Sequence, residues 1–341
     1  MSLDIRLLAQ EHFLLFALSF IALQLLLTVV WQGRIKWLQA SSHIYYAGIF
    51  LAVVVSILAF FQLSLPLALG LLVATMLIVI LGRYDEISPL TPATQFMWQV
   101  IIAAVVIVCG WNIIQITHLG GEGVISLAWF TVGPWLMPAS LITLVWLLFL
   151  MNAINWLDGV DGLAGSVVVV AFATLAGISL LPATQDNLTL SLSLIGLGSV
   201  VAFLLWNWSP ARMYLGTSGS WFLGLYLGLV ALIGGGKIAT TVLVLAIPLI
   251  DVLLVILQRV FNKQFPWRGD RTWHLHFHLL NAGVSPRFIV VLAIIISSLA
   301  GLAAVTLQTV QKVSVFLLIA AVLATGVGLL LHHKWRSSKK V

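Results

Sequence analysis

Long apolar blocks, each closed by a short polar or glycine-rich interruption, repeat from one end of this chain to the other. About 20 apolar residues cross the hydrocarbon core of a bilayer as a helix. On that measure the pattern predicts spans near residues 11–31, 45–62, 66–82, 97–116, 136–154, 163–181, 189–206, 219–233, 238–257, 287–306 and 313–332. The expected architecture is all-α: one multi-span membrane domain over residues 1–341 with about eleven transmembrane helices and a basic tail at 333–341. The block at 219–233 is short, and 122–132 reads as a small extracellular hairpin or a re-entrant piece. Asp4, Glu11 and His12 precede a first run too long for the apolar region of a signal peptide, so no cleavable signal is expected.

Composition agrees with the pattern. Hydrophobic residues make up 62% of the 341 positions and charged ones only 8%, against about 25% charged in soluble domains. A chain of this size could not hide that much apolar surface in water, which excludes the soluble classes, and the sparse charge excludes disorder. The single cysteine, Cys109, excludes a disulfide framework.

Charge orients the spans. With eleven crossings, thirteen of the Lys and Arg residues fall on one side, from Arg34 to Lys340, and three, Arg6, Lys237 and Lys312, on the other. Basic loops stay cytoplasmic, so the N-terminus is expected outside and the C-terminus inside. The basic excess is thus read as a topology signal, and no nucleic-acid partner is expected. Carboxylates are costly near a membrane and tend to be functional. Asp85, Glu86, Asp158, Asp161, Asp251 and Asp270 all lie in or beside the cytoplasmic loops.

Four segments gather the polar chemistry. In Asn152-Ala-Ile-Asn155-Trp-Leu-Asp158-Gly-Val-Asp161-Gly, polar side chains recur every third residue at the end of a span. Asn152, Asn155 and Asp158 therefore share a helix face before two Asp-Gly pairs turn the chain. The plain alternative is a helix terminus with Asp-Gly turn chemistry. Asp85-Glu86 ends the third span; adjacent acids can hold Mg²⁺ against a diphosphate or take a proton, or they can be a solvated loop. The stretch Asn207 to Gly224, with Tyr214 and Thr217, is rich in small residues that suit a phosphate pocket at a helix start or close helix packing. In the loop Pro266 to His278, the alternating His274, His276 and His278 with Arg268 and Arg271 suit diphosphate recognition or proton handling. Zinc is the less favoured alternative, because no cysteine is nearby.

Together these segments, from about Arg34 to Ser285, resemble the polyprenyl-phosphate N-acetylhexosamine-1-phosphate transferase family, glycosyltransferase family 4. The carriers of the resemblance are Asn-x-x-Asn-x-x-Asp-Gly-x-Asp-Gly-Leu-Ala, Asn207 with Pro210-Ala211, the Gly-x-Ser-Gly-Ser block, Ile247-Pro248-x-x-Asp251 and His-x-His. The resemblance implies transfer of a sugar 1-phosphate from a UDP-sugar to polyprenyl phosphate, with release of UMP and with Mg²⁺, or Mn²⁺ in its place. It implies a bacterial-type cytoplasmic (inner) membrane enzyme with its site on the cytoplasmic face, in contact with membrane lipid, and leaves a homodimer open.

By position, the resemblance gives Asp85 and Glu86 the acidic pair that positions or deprotonates the lipid phosphate. Asn152, Asn155 and Asp158 go to the metal and nucleotide site, Asp161, Asn207 and Tyr214 to nucleotide contacts, and His274, His276 and Arg271 to the diphosphate or sugar. Asp85, Asp158 and Thr217 are the implied metal ligands.

Three departures accompany the match. Glu86 replaces a usual aspartate, Phe277 interrupts the histidine run, and Thr217 stands where the family has a Mg²⁺-binding aspartate. His-x-His favours a UDP-N-acetylhexosamine donor over the peptidoglycan pentapeptide precursor. Two rival readings follow: a catalytically impaired member that binds nucleotide-sugar or lipid phosphate, for which Thr217 speaks, and a transporter of a phosphorylated or lipid-linked solute. The transporter reading lacks midplane charges and related halves.

Overall fold

The computed structural model describes residues 2–32, 46–118, 123–182, 184–233, 237–261, 263 and 274–338, with the side chains of 2–9, 324 and 326–338 excepted. It is mostly helical. The chain opens with α1 (Ser2–Trp31), α2 (Tyr46–Phe60), α3 (Leu65–Ile87) and α4 (Pro92–Val108), followed by the strands β1 (Gln115–Thr117), β2 (Val124–Ser126), β3 (Ala128–Val132) and β4 (Trp135–Pro138). Then come α5 (Ala139–Leu157), α6 (Leu163–Ser179), α7 (Asn187–Asn207), α8 (Gly216–Leu232), α9 (Ile238–Val244) and α10 (Ala246–Phe261). The last three are α11 (Leu275–Asn281), α12 (Pro286–Thr306) and α13 (Thr309–Ser338).

Among the described residues, five helices are long and apolar enough to cross a membrane: Gln10–Trp31, Leu65–Ile87, Ala139–Leu157, Asn187–Asn207 and Pro286–Thr306. A sixth span forms if α9 and α10 count as one, broken by 80°. Five more apolar helices are shorter, at 10–17 residues. The chain is a multi-pass membrane protein.

Local chemistry sets the ends. Thr91 caps α4 by accepting from the Thr94 N–H at 3.2 Å, and Ser285 caps α12 through the Phe288 N–H at 3.3 Å, each with a proline in the first turn. The break between α9 and α10 also has a cause. Pro248 has no N–H for the carbonyl of Val244, four residues back, and its ring crowds that carbonyl. Val244 is where α9 ends.

The all-α expectation is corrected between α4 and α5. Helix α4 stops at Val108, short of the expected 116, and two antiparallel two-stranded ribbons, β1–β2 and β3–β4, occupy the chain up to Pro138. These are runs of β-branched and aromatic residues, the second turning at Gly133-Pro134, too short and too interrupted to continue a helix.

Helix α8 is the hub. Every residue from Ser218 to Ala231 is buried, against α2, α3 and α5. Glycine permits the approach of α2: a Cβ on Gly48 would stand 1.9 Å from the Leu215 carbonyl oxygen and 2.7 Å from the Gly219 Cα. Helix α5 runs antiparallel to α8, since Trp146 Nε1 donates to the Gly228 carbonyl at 3.2 Å and Asn155 Nδ2 donates to Ser220 Oγ at 2.8 Å. The end of α5 therefore meets the start of α8. At the opposite end of the molecule Lys237 pairs with Asp186, and Lys312 Nζ donates to Thr240 Oγ1 at 2.8 Å.

Candidate active site

The last turn of α3 supplies the acids. Asp85 is buried; its Oδ1 accepts from the Leu90 N–H at 2.8 Å and from Gln95 Nε2 at 2.9 Å, and its Oδ2 accepts from the Thr217 hydroxyl at 2.7 Å. Glu86 turns to the next residue of α8, accepting from Ser218 Oγ at 3.3 Å and from its N–H at 3.5 Å, while Arg83 lies 3.4 Å from its other oxygen. The first turn of α8 thus sits on both carboxylates. Gly82 makes this possible, since a Cβ there would meet Ser218 Cα at 2.6 Å.

Helix α5 closes a second side. Asn155 reaches Ser220, and Asp158, one turn further on α5, continues that line toward Thr217, one turn earlier on the antiparallel α8. Asn152 is turned elsewhere: its Nδ2 donates to Gln99 Oε1 on α4 at 2.7 Å and to the Leu148 carbonyl at 2.8 Å. The Asp-Gly turn after α5 is fastened to the loop after α7. Asp161 Oδ2 accepts from the Ala211 N–H at 2.9 Å. Asn207 spends both ends of its amide on backbone, accepting from the Gly162 N–H and donating to the Met213 carbonyl, each at 2.9 Å. Asn207 is therefore a clamp between two loops, while Tyr214 at the rim is 37% exposed.

The histidines arrive from the far end of the chain. His274 Nδ1 lies 2.8 Å from Asp251 Oδ2, and the other oxygen of Asp251 accepts from the Leu275 N–H at 2.7 Å. The His276 ring stacks on His274 at 5.6 Å, and His274 packs on Trp156 of α5, over which the Arg259 guanidinium lies at 5.3 Å. A Cβ on Gly159 would stand 2.8 Å from His276 Nε2, so the glycine admits the imidazole to the Asp-Gly turn. That nitrogen is buried and has no hydrogen-bond partner. Burial, with His274 adding to it against the opposing pull of Asp251, lowers the His276 pKa to about 4, so the ring is neutral near pH 7.

The structure therefore gathers Asp85, Glu86, Asn155, Asp158, Asp161, Thr217, His274 and His276 at one end of the helical body. Arg271 lies outside the described residues. Sequence reasoning left out of the site Gln95, Trp156 and Arg259; Ser218, Ser220 and Asp251 it named within motifs without assigning them to the site. The signal for Asp251 was present: it is the only carboxylate inside the apolar run 238–257.

Among the described residues, no three His, Cys, Asp or Glu side chains cluster closely enough to hold a metal by themselves. What the site offers a hard cation is oxygen: the Asp85 carboxylate with the Thr217 hydroxyl against it, and Asp158 on the facing helix end. That donor set fits a Mg²⁺ that takes its remaining ligands from water and substrate phosphates, the usual habit of the ion.

Comparison with known proteins adds three kinds of relative. The family described as Glycosyl transferase family 4 matches residues 68–235, from within α3 to just past α8. The chain is 28% identical over 270 residues to the probable undecaprenyl-phosphate N-acetylglucosaminyl 1-phosphate transferase of Bacillus subtilis, covering 77% of this chain and 72% of that protein. It is 29% identical over 247 residues to the decaprenyl-phosphate N-acetylglucosaminephosphotransferase of Mycolicibacterium smegmatis, covering 65% of this chain and 59% of the relative. A shorter match, 35% identical over 127 residues, reaches the phospho-N-acetylmuramoyl-pentapeptide-transferase of Corynebacterium jeikeium, with 35% of this chain and 33% of that one covered.

Proposed function

We propose that the chain, which glycosyl transferase family 4 matches over residues 68–235, transfers an N-acetylhexosamine 1-phosphate from a UDP-sugar to polyprenyl phosphate and releases UMP. The observation that carries this reading is the convergence of four distant segments at one end of the molecule, with two carboxylates held against the first turn of α8. The names of the Bacillus and mycobacterial relatives support the acceptor and the sugar. On this reading all eleven apolar segments cross the inner membrane, with the N-terminus outside and the site on the cytoplasmic face; the segregation of basic residues supports that orientation.

In the reaction an oxygen of the lipid phosphate attacks the sugar-bearing phosphorus in line. The bond from that phosphorus to the bridging oxygen breaks, and the electron pair leaves on UMP. Asp85, fixed by Leu90, Gln95 and Thr217, positions the incoming phosphate and takes its proton where one is present. Asp85 and Asp158 with the Thr217 hydroxyl would hold a Mg²⁺, which would supply charge neutralisation at the diphosphate. Neutral His276, packed beside Gly159, contributes a hydrogen bond without adding charge. The loop joined by Asp161 and Asn207 carries Tyr214, whose exposed ring suits stacking on the uracil.

A second reading is favoured by one contact. The Thr217 hydroxyl occupies Asp85 Oδ2 where an aspartate would add a charge, which suits a member that binds substrate without turning it over. One assay separates the two: UMP release from a panel of UDP-sugars with polyprenyl phosphate and Mg²⁺ in detergent. The native protein is expected to release UMP only when lipid phosphate is present, and Asp85→Asn to abolish it. A native protein inert with every donor, and switched on by Thr217→Asp, establishes the binding reading instead.

A further inference from the structure

The β3–β4 ribbon stands at the end of α5 opposite the candidate site, and nothing in the transfer chemistry uses it. Its sequence is unusual for a loop facing water: from Gly123 to Pro138 there is no charged residue, and Trp129, Phe130, Val132 and Trp135 fall within seven positions. Trp129 is 68% exposed, Phe130 57% and Val132 54%. The register breaks between Ala128 and Phe130, leaving Trp129 without a partner across the ribbon, and no residue of β3 is buried, so Trp129, Phe130 and Val132 all stand uncovered. A lone two-stranded ribbon is marginal in water even without that burden.

The ribbon is nonetheless rigidly placed. Leu127 N–H donates to the Ile114 carbonyl at 2.7 Å, and the Ala139 N–H donates to the Leu127 carbonyl at 3.1 Å. Ser140 Oγ accepts from the Leu136 N–H at 2.9 Å and donates to Asn112 Oδ1 at 2.8 Å, while the Ile113 N–H donates to Thr143 Oγ1 at 2.8 Å. Strand β4 runs into α5 without a linker. The exposed strand residues of the ribbon lie on β3, and the first turns of α5, which follow β4 directly, carry the exposed apolar side chains Leu141 (54%) and Val145 (60%). The indole N–H of Trp129 already donates to the Ser126 carbonyl at 2.7 Å, so its ring carries little polar demand into an apolar medium.

From these observations we infer that the β3–β4 ribbon is an interfacial anchor, seated in the headgroup–acyl boundary of the leaflet opposite the candidate site. The occupant is lipid rather than protein, because the ribbon leads directly into α5, a helix long and apolar enough to cross a membrane, and carries none of the charged residues that rim a protein interface. The depth is bounded from both sides. Aromatic side chains favour the interface, and the unpaired outer edges of a two-stranded ribbon forbid the hydrocarbon core.

The test uses the full chain with Cys109→Ser, single cysteines replacing Phe130, Val132 or, as a polar control at the same end, Thr184, and an NBD label. The labelled proteins are placed in phosphatidylethanolamine–phosphatidylglycerol vesicles brominated either near the glycerol or near the chain ends. The expected result is blue-shifted emission at 130 and 132, strongest quenching by the shallow bromines, and iodide quenching several-fold weaker than at 184. Iodide reaching 130 and 132 as freely as 184 overturns the anchor. So does protection without bromine quenching, accompanied by cysteine cross-links between copies, which would make the ribbon a protein interface. Quenching strongest at the chain ends overturns the stated depth. The two labelled positions guard against one substitution disturbing the ribbon.

Discussion

Asp251 reaches His274 with one oxygen and the backbone of Leu275 with the other, from inside the apolar stretch of α10 that precedes Gln258 and Arg259. An asparagine there can satisfy the Leu275 N–H only with its carbonyl oxygen, which turns its NH₂ toward His274 Nδ1 and forces the opposite imidazole tautomer. Asp251→Asn is therefore expected to lower kcat about tenfold or more, the value of one charge-assisted hydrogen bond, with UMP affinity nearly unchanged in calorimetry. Equal losses in kcat and in UMP binding would mean that the loop itself had collapsed. His276 gives a separate pH signature. Its folded pKa of about 4 lies below the ordinary 6.5 because burial disfavours the imidazolium. The unfolded chain therefore takes up the proton first: stability is complete above about pH 6.5, falls as pH drops toward 4, and levels off below it. The loss amounts to about 3 kcal/mol at most. Melting temperatures in detergent across that window should show this slope, and His276→Gln should flatten it. The residue types at the site were legible because carboxylates and histidines are conspicuous in an apolar chain. Their partners were not: Gln95, Ser218 and Ser220 are ordinary until the fold places them against Asp85, Glu86 and Asn155.

At the scale of elements, the site depends on how closely α3 and α8 approach. Gly82→Ala puts a methyl 2.6 Å from the Ser218 backbone, so the helices must separate, at a cost of about 1–3 kcal/mol. The same shift pulls Ser218 from Glu86 and Thr217 from Asp85, so both melting temperature and turnover should fall. Gly177→Ala is the matched control: it lies inside α6 with nothing within 4 Å of the added methyl, and alanine suits a helix better by about 0.5–1 kcal/mol. It should melt slightly higher and turn over normally; a Gly177→Ala loss as large as that of Gly82→Ala would refute the packing argument. Helix positions were readable from apolar length, and the two ribbons were readable only in part, as a hairpin near 122–132. Helix α4 ends at Val108 because the following Gly110 and β-branched residues favour extended chain, yet by hydropathy alone the run continues. The break before α10 was likewise hidden in a continuous apolar run, although Pro248 marks it once the Val244 carbonyl is considered.

At the scale of the whole molecule, contacts sort the loops into two ends without reference to charge. Asp161 binds the backbone of Ala211, Arg287 Nε donates to the Ser209 carbonyl at 3.0 Å, and His276 abuts Gly159, so loops 158–162, 208–215 and 274–287 share the site end. Asp186 with Lys237, and Lys312 with Thr240, mark the other. Helix α7 therefore runs from one end to the other and α8 runs back. The bent α9–α10 pair must then carry the chain from Lys237 at the far end to His274 at the site end, despite its 80° break. The pair is therefore expected to be a crossing rather than a re-entrant loop, and the difference is one of parity. Single cysteines replacing Thr184, Arg212 and Lys263 in the Cys109→Ser chain should divide two to one under a membrane-impermeant maleimide. Positions 212 and 263 should react from one side and 184 only from the other. If 263 reacts together with 184, the pair does not cross, and the histidines cannot reach the Asp-Gly turn while the chain is in a bilayer. Should all three react from one side, α7 does not cross either, and the two-ended arrangement that gathers the site is lost with it.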